Sequence, residues 1–239
     1  MKNIIKATYR IEEYKNKDIK IITKNFEKDC EIYLNNQQIN TPYTFKEKGE
    51  YTITFNFKKE LGDISYLFYN CEQLIEIDLS NFKTQYVKNM KCLFSTCRKL
   101  KKVNLKNINT NEVTDMKDMF SNCTDLEELD LSSFQTPNVE IMENMFLSCI
   151  SLKKINVKNF DIRNVTTMKK MFCQCENLTD LDLSNFKNEK VKDISFMFSN
   201  CKNLKKLDFS KFKFHQNMKK DGIFNFIEKE NLNNFSINF

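Results

Sequence analysis

The sequence is poor in the residues that usually build sharp turns and catalytic centres. Its 239 residues include 3 glycines, 2 prolines, no tryptophan and one histidine, His215. Scarce glycine argues against a glycine-rich phosphate-binding loop, and a single histidine argues against histidine triads and clustered histidine ligands. With so little glycine available, we expect asparagine to fill many turn positions that need a positive φ.

The sequence also lacks long runs of one charge and long apolar runs. The net charge is +6, but residues 62–212 hold 22 basic and 20 acidic side chains, so nucleic-acid or membrane-surface binding gains little support. No stretch approaches the ~20 apolar residues of a membrane span. Residues 1–15 lack the apolar segment of a signal peptide. These features predict a cytoplasmic protein, with a cell-surface or secreted location as the alternative if a leader has been removed.

What dominates the sequence is a repeat of 26 residues. Phenylalanine, cysteine and leucine each occupy a fixed slot in six copies. The phenylalanines are Phe68, Phe94, Phe120, Phe146, Phe172 and Phe198, the cysteines Cys71, Cys97, Cys123, Cys149, Cys175 and Cys201, and the leucines Leu74, Leu100, Leu126, Leu152, Leu178 and Leu204. Methionine and valine columns accompany them.

Each copy changes its hydrophobic period partway along. The Leu-x-x-Leu-x-Leu part ends with the period of two that is typical of a strand. The Val-x-x-Met-x-x-Met-Phe-x-x-Cys part has spacings of three and four, which are typical of a short helix. We therefore predict an α/β repeat solenoid with one strand and one short helical turn per repeat. The strands would form a parallel sheet at ~4.8 Å per repeat.

The motif Met-Phe-x-x-Cys-x-x-Leu-x-x-Leu-Asp-Leu-Ser-x-Phe occurs at 119–134 and at 171–186. It resembles the BspA-like leucine-rich repeats, which are common in bacterial surface proteins and in some protists. The resemblance covers about 68–212 and implies a leucine-rich-repeat solenoid. It also implies a surface or secreted adhesin that binds host or extracellular proteins, while the partner itself stays open.

The two ends depart from the repeat and divide the chain into three parts: 1–61, 62–212 and 213–239. In the first part, 19–26, 30–39 and 51–57 read as strands, with turns at Asn35-Asn36 and Lys48-Gly49. This small all-β unit is either an independent module or a cap for the first repeat. The last part reads as a degenerate seventh repeat closed by a cap at 231–239.

The nine cysteines raise the question of chemistry, and packing is the favoured answer. Six thiols one repeat apart form a line, whereas zinc needs four ligands around one point. Stacked Cβ atoms stay too far apart for a disulfide, and a nucleophile would need a base beside it. We expect the six column thiols to be buried. The off-column Cys30, Cys92 and Cys173 are then the better candidates for exposed or reactive thiols.

Between the inward leucines, three columns of residues should point out of the sheet. The first column alternates in sign from copy to copy, which either avoids like-charge stacking or forms a striped surface that recognises a protein. The first column holds Glu76, Lys102, Glu128, Lys154, Asp180 and Lys206, the second Asp78, Asn104, Asp130, Asn156, Asp182 and Asp208, and the third Ser80, Lys106, Ser132, Lys158, Ser184 and Ser210.

These features favour a non-catalytic protein-interaction scaffold, or a subunit of a larger intracellular assembly, with no cofactor, metal or small-molecule substrate. The alternatives are the adhesin implied by the resemblance and an enzyme that uses Cys173 or Cys175. The candidate binding residues are Glu76, Asp78, Lys102, Asn104, Lys106, Glu128, Asp130, Ser132, Lys154, Asn156, Lys158, Asp180, Asp182, Lys206 and Asp208.

Overall fold

The computed structural model describes residues 3–12 and 18–237, and these form a β-solenoid preceded by a small antiparallel unit. Each 26-residue repeat makes one turn of the solenoid, called a rung here. Rungs one to seven are numbered by the phenylalanine at their centre: Phe68, Phe94, Phe120, Phe146, Phe172, Phe198 and Phe224. The predicted parallel solenoid is confirmed.

One side of the solenoid, the strand face, carries one strand from each of rungs one to six. The strands are β5 (Leu74–Asn81), β6 (Lys102–Asn104), β7 (Glu128–Asp130), β8 (Lys154–Asn156), β9 (Asp180–Asp182) and β10 (Lys206–Phe209). They pair in parallel with identical slots opposite each other, as in Leu129 opposite Ile155. Their central residues alternate between buried and outward positions, because successive side chains of a strand point to opposite faces.

Among the described residues of rungs one to six, the opposite side contains no helix, so the predicted α/β character is not supported. Here each rung is a chain of β-turns. In rung three, Ser121 and Cys123 donate their N–H groups three residues back, to Asp118 and Phe120. The residues that alternate with these donate their N–H groups to the next rung instead. Phe120, for example, donates to the Met145 carbonyl at 2.9 Å. We call this side the turn ladder. Successive turns and helices both place apolar residues three to four positions apart, so periodicity alone could not distinguish them.

The turn ladder needs left-handed backbone at two positions in every rung. Asp118 and Asn122 have φ of 56° and 60°, two residues before and two after Phe120, and their counterparts recur along the solenoid. A positive φ at the third position of a turn is the requirement of a type II turn. Asparagine fills several of these positions, as expected, but so do Tyr66, Lys170 and Phe196. The positive φ at these positions interrupts helical geometry, so each rung folds as a series of turns.

The core lies between the two sides and is built from columns of identical residues. The six central rings Phe68 to Phe198 are fully buried and stack on one another, with Phe224 next in the column. Neighbouring centroids lie 5.3 to 6.0 Å apart. Burying a large aromatic side chain contributes roughly 1.5–3 kcal/mol, so this column is a main source of cohesion between rungs.

The N-terminal unit joins the solenoid through its sheet. It contains β1 (Ile4–Ile11), β2 (Cys30–Leu34), β3 (Gln37–Gln38) and β4 (Gly49–Phe57), and β1 pairs antiparallel with both β4 and β5. The predicted turn is present, because Asn35 and Asn36 have φ of 50° and 63°. The strand predicted at 19–26 is wrong: Ile19 makes one isolated bridge, and Lys24–Phe26 is a 3-10 helix.

The seventh rung is degenerate but complete enough to pack. Ile227 takes the cysteine slot and is buried. A four-residue helix, α1 (Lys229–Leu232), precedes β11 (Phe235–Ile237), which pairs in parallel with β10. Of the segment predicted to finish the cap, residues 238–239 lie outside the described part. No helix among the described residues is long and apolar enough to cross a membrane.

Candidate functional site

The strand face carries all three predicted outward columns. The first column is exposed in all six rungs, and its alternating charges form ion pairs. Lys102 lies 3.7 Å from Glu76, Lys154 lies 3.3 Å from Glu128, and Lys206 lies 3.9 Å from Asp180. Because the paired side chains remain 51 to 80% exposed, these contacts contribute little to stability. The charges are therefore accessible to a partner.

Ion pairs and strand pairing divide the strand face into double rungs. Hydrogen-bonded strand pairs are β5 with β6, β7 with β8, and β9 with β10. Among the described residues, no strand pairing joins β6 to β7 or β8 to β9. The first-column ion pairs fall inside the same double rungs, always from an acidic rung to the following basic one. The structural period of this face is thus two repeats, although the sequence period is one.

The second column also has a structural role, which the sequence patterns did not reveal. In rungs one to six its carboxylate or amide oxygen accepts the N–H of the residue two positions later, and in rungs two to five the strand ends at this residue. For example, Asp130 Oδ1 accepts from Ser132 at 2.9 Å. The same oxygen accepts from Asn156 Nδ2 at 3.3 Å. Hydrogen bonds from Ser132 lower the pKa of Asp130, and those from Ser184 lower the pKa of Asp182. These carboxylates are therefore less available to a partner than the first column.

The third column alternates between half-buried serine and exposed lysine in rungs one to five, and rung six again has a half-buried serine, Ser210. Lys106 and Lys158 are exposed and extend the basic character of rungs two and four. Ser132 is half-buried. Beside it, the Ser133 hydroxyl donates to the Leu105 carbonyl at 3.0 Å, across the gap between β6 and β7. A side chain thus replaces one backbone bond where the sheet is interrupted.

The six column cysteines are packing residues with a weak hydrogen bond. Each is fully buried, and from rung two to rung six the thiol donates to the phenylalanine carbonyl of the preceding rung, at 3.0 to 3.3 Å. In rung three, Cys123 donates in this way to Phe94. Burial raises the pKa of the thiols, to about 12 for Cys71 and Cys149, which keeps them protonated and unreactive.

The off-column cysteines are buried as well, contrary to expectation. Cys30, Cys92 and Cys173 are 5, 7 and 8% exposed, more than the column thiols but still inside the molecule. Desolvation raises the pKa of all three. All nine cysteines are free thiols. His215 is exposed, and the described residues contain no group of three possible metal ligands.

Three exposed aromatic side chains lie on the turn ladder, outside the predicted outward columns. Tyr66 and Tyr69 form an edge-to-face pair 5.5 Å apart and are 37 and 39% exposed. Phe226 of rung seven is 73% exposed. The sequence could have indicated them, because aromatic residues stand at positions that are polar in other repeats. Rung three has Asp118 and Ser121 where rung one has the two tyrosines.

No curated protein and no solved structure matches the chain. The model of one protein family matches residues 62–155 and 127–236, overlapping matches that span every rung of the solenoid and more than half of the chain. Its description is "Mycoplasma protein of unknown function, DUF285". The chain belongs to this family.

Proposed function

We propose that the protein is a non-catalytic scaffold that binds other proteins through its strand face, alone or as a subunit of a larger assembly. The observation that carries this proposal is the first column. Its exposed charges alternate along six strands, and the ion pairs between them are loose contacts of 3.3 to 3.9 Å. A partner with the complementary stripe can replace these contacts, and such complementarity favours specificity and association rate over affinity.

The basic rungs offer the best-defined part of this surface. Lys102 and Lys106 project from rung two, and Lys154 and Lys158 from rung four. The acidic rungs flank them with Glu76, Glu128 and Asp180. This arrangement fits a protein surface that carries acidic groups two rungs apart, about 10 Å at the usual strand spacing.

The non-catalytic part of the proposal is supported by the burial of the thiols. Their raised pKa values disfavour the thiolate that a cysteine enzyme would need. The identity of the repeats as BspA-like leucine-rich repeats and a cytoplasmic location are also proposals. The repeated motif supports the first, and nine free thiols support the second because a reducing compartment keeps thiols free.

The experiment uses the tagged protein as bait in native extract, with bound proteins quantified by mass spectrometry. The test variant carries Lys102→Glu and Lys154→Glu, whose side chains are 75 and 79% exposed, so that the fold is retained. The matched control is Lys192→Glu, an exposed lysine outside the strand face. We expect proteins that bind the wild type and the control to be lost from the test variant. Equal recovery on all three baits would refute the strand face as the binding surface.

A further inference from the structure

The turn ladder has a strict donor pattern. At each of the six junctions between rungs, four alternate residues donate their N–H groups to the next rung, over 2.7 to 3.1 Å. At the junction from rung six to rung seven the donors are Ile194, Phe196, Phe198 and Asn200. Their acceptors are the carbonyls of Lys219, Asp221, Ile223 and Asn225. The backbone of every rung thus needs a neighbour on its far side.

Rung seven has no such neighbour among the described residues. The four equivalent donors are the N–H groups of Lys220, Gly222, Phe224 and Phe226, and none has a backbone or side-chain acceptor there. We call this row the rung-seven edge. The rung keeps the backbone of the others, since Gly222 and Phe226 have left-handed φ of 61° and 63°. Unpaired backbone rows of this kind are templates for another chain.

The opposite end of the turn ladder is partly covered by the N-terminal unit. There the carbonyl of Leu67 in rung one accepts both the N–H and the hydroxyl of Thr23, at 3.1 and 3.4 Å. The Lys20 ammonium lies 5.2 Å from the ring centre of Tyr69. The N-terminal unit therefore occupies part of the place that a preceding rung would take, which disfavours head-to-tail stacking of two copies.

The chemistry of the rung-seven edge selects its occupant. It offers only donors, because the carbonyls between them are already bound by rung six. Lys219 and Lys220 are exposed at its beginning, beside one acidic residue, Asp221, and neither lysine makes an ion pair among the described residues. Phe226 adds an apolar ring, 73% exposed, at the other end. Four donors in register match the carbonyl row of a polypeptide rather than a small anion.

We propose that the rung-seven edge binds an extended segment of a partner protein that supplies a row of backbone carbonyls and begins with an acidic residue. The segment takes the position of an eighth rung. Its acidic residue lies at Lys219 and Lys220, and an apolar residue contacts Phe226. This site is separate from the strand face, so it can fail or succeed independently of the proposed function.

The test uses a synthetic peptide with the sequence of residues 193–200, DISFMFSN, with blocked termini. In the protein this segment already supplies the carbonyls that rung five binds. Binding is measured by fluorescence anisotropy, and exchange of the four edge amides by NMR. In the free protein these amides should exchange faster than those of Ile194, Phe196, Phe198 and Asn200. The peptide should slow their exchange.

A matched pair of variants separates the backbone donor from the charge. Lys220→Ala removes the charge, together with its contact with the Phe214 ring, but keeps the N–H, and we expect affinity to fall by up to about fivefold, as for an exposed ion pair. Lys220→Pro also removes the N–H, which should cost a further three- to tenfold, about one net hydrogen bond. Proline is compatible here, because this N–H is unused, φ is not positive and Lys219 is in a bridge. Thermal melts check that both variants fold, and Lys154→Glu should bind the peptide normally.

Three results would overturn the proposal as a whole, and a fourth would overturn its acidic requirement. The first is free-state protection of the edge amides equal to that of rung six, which would mean that the edge is already covered. The second is equal affinity of the alanine and proline variants. The third is self-association in light scattering that Lys220→Pro abolishes, which would make a second copy the occupant. A peptide whose aspartate is replaced by lysine should bind several-fold more weakly; unchanged affinity would refute the acidic requirement.

Discussion

The turn ladder and the strand face are two sides of the same repeat, yet they are organised differently. The turn ladder makes the same four hydrogen bonds at all six junctions, over stacked phenylalanines and buried thiols. Among the described strands β5 to β10, the strand face is paired only within double rungs, and its first outward column is charged throughout. The comparison indicates that the turn ladder holds the solenoid together, while the outward side chains of the strand face contribute little to cohesion.

Removing a ring from the core below the turn ladder should have the largest effect. Phe146 is fully buried and stacks on Phe120 and Phe172, at 5.9 and 5.3 Å. Phe146→Ala should lower the free energy of unfolding by about 3–5 kcal/mol, because it leaves a cavity in a column that cannot collapse. Urea denaturation measures the change. A loss under about 1 kcal/mol would contradict the assignment of cohesion to this side.

Raising the pH should have the second-largest effect, because it lowers the stability that the buried thiols contribute. Burial raises the pKa of Cys149 from 9.0 to about 12, so the unfolded thiol ionises first and the unfolded state then binds fewer protons. This thiol's stabilisation is fully present below about pH 9 and falls by about 1.4 kcal/mol per pH unit between 9 and 12. Denaturation of wild type and Cys149→Ala at pH 8, 9 and 10 is the measurement. The stability gap should narrow with pH, and a constant gap would refute burial as the cause.

Removing the hydrogen-bond acceptor at the end of β7 should have a moderate effect on stability. Asp130→Ala removes the acceptor of the Ser132 N–H and should cost about 1 kcal/mol, the net value of one hydrogen bond. Asp130→Asn is the control, because an amide oxygen keeps the bond, as Asn156 does in the next rung. Thermal unfolding compares the three proteins. If both variants lost the same stability, the charge rather than the bond would be responsible.

Removing an outward charge should have the smallest effect on stability. Lys154→Ala deletes an ion pair whose side chains are 79 and 65% exposed, and the free energy of unfolding should change by under about 1 kcal/mol. Chemical denaturation at low and high salt checks this value. A larger loss would mean that the strand face contributes to cohesion as the turn ladder does, and the contrast between the two sides would disappear.

The parts of the fold that repeat could be predicted from the sequence. The columns through Phe120, Cys123 and Leu129 predicted a parallel solenoid and its buried side chains, because each slot recurs in the same environment. The sequence could not predict the local structure where two different structures produce the same residue pattern. Spacings of three and four fit helices and successive turns equally, and Asp118 and Asn122 gave no helix-breaking signal comparable to glycine or proline.

The pairing of strands could not be predicted either, because it depends on neighbours distant in sequence. β1 alternates buried and outward residues, yet nothing in Ile4–Ile11 shows that it pairs with β5. For the candidate site, the outward columns were foreseen from strand periodicity. The use of Asp130 to end its strand, the interruption between β6 and β7, and the unpaired edge of rung seven all required the backbone itself.

The double rung has a consequence for how such a chain can change length. Copying one repeat would place two acidic or two basic strands side by side and would leave one strand without its hydrogen-bonded partner. Copying two repeats, 52 residues, would preserve both the charge order and the pairing. Growth and loss of this solenoid should therefore occur in steps of two repeats, and relatives with an odd number of rungs should carry a mixed rung such as rung six, where Lys206 is followed by Asp208.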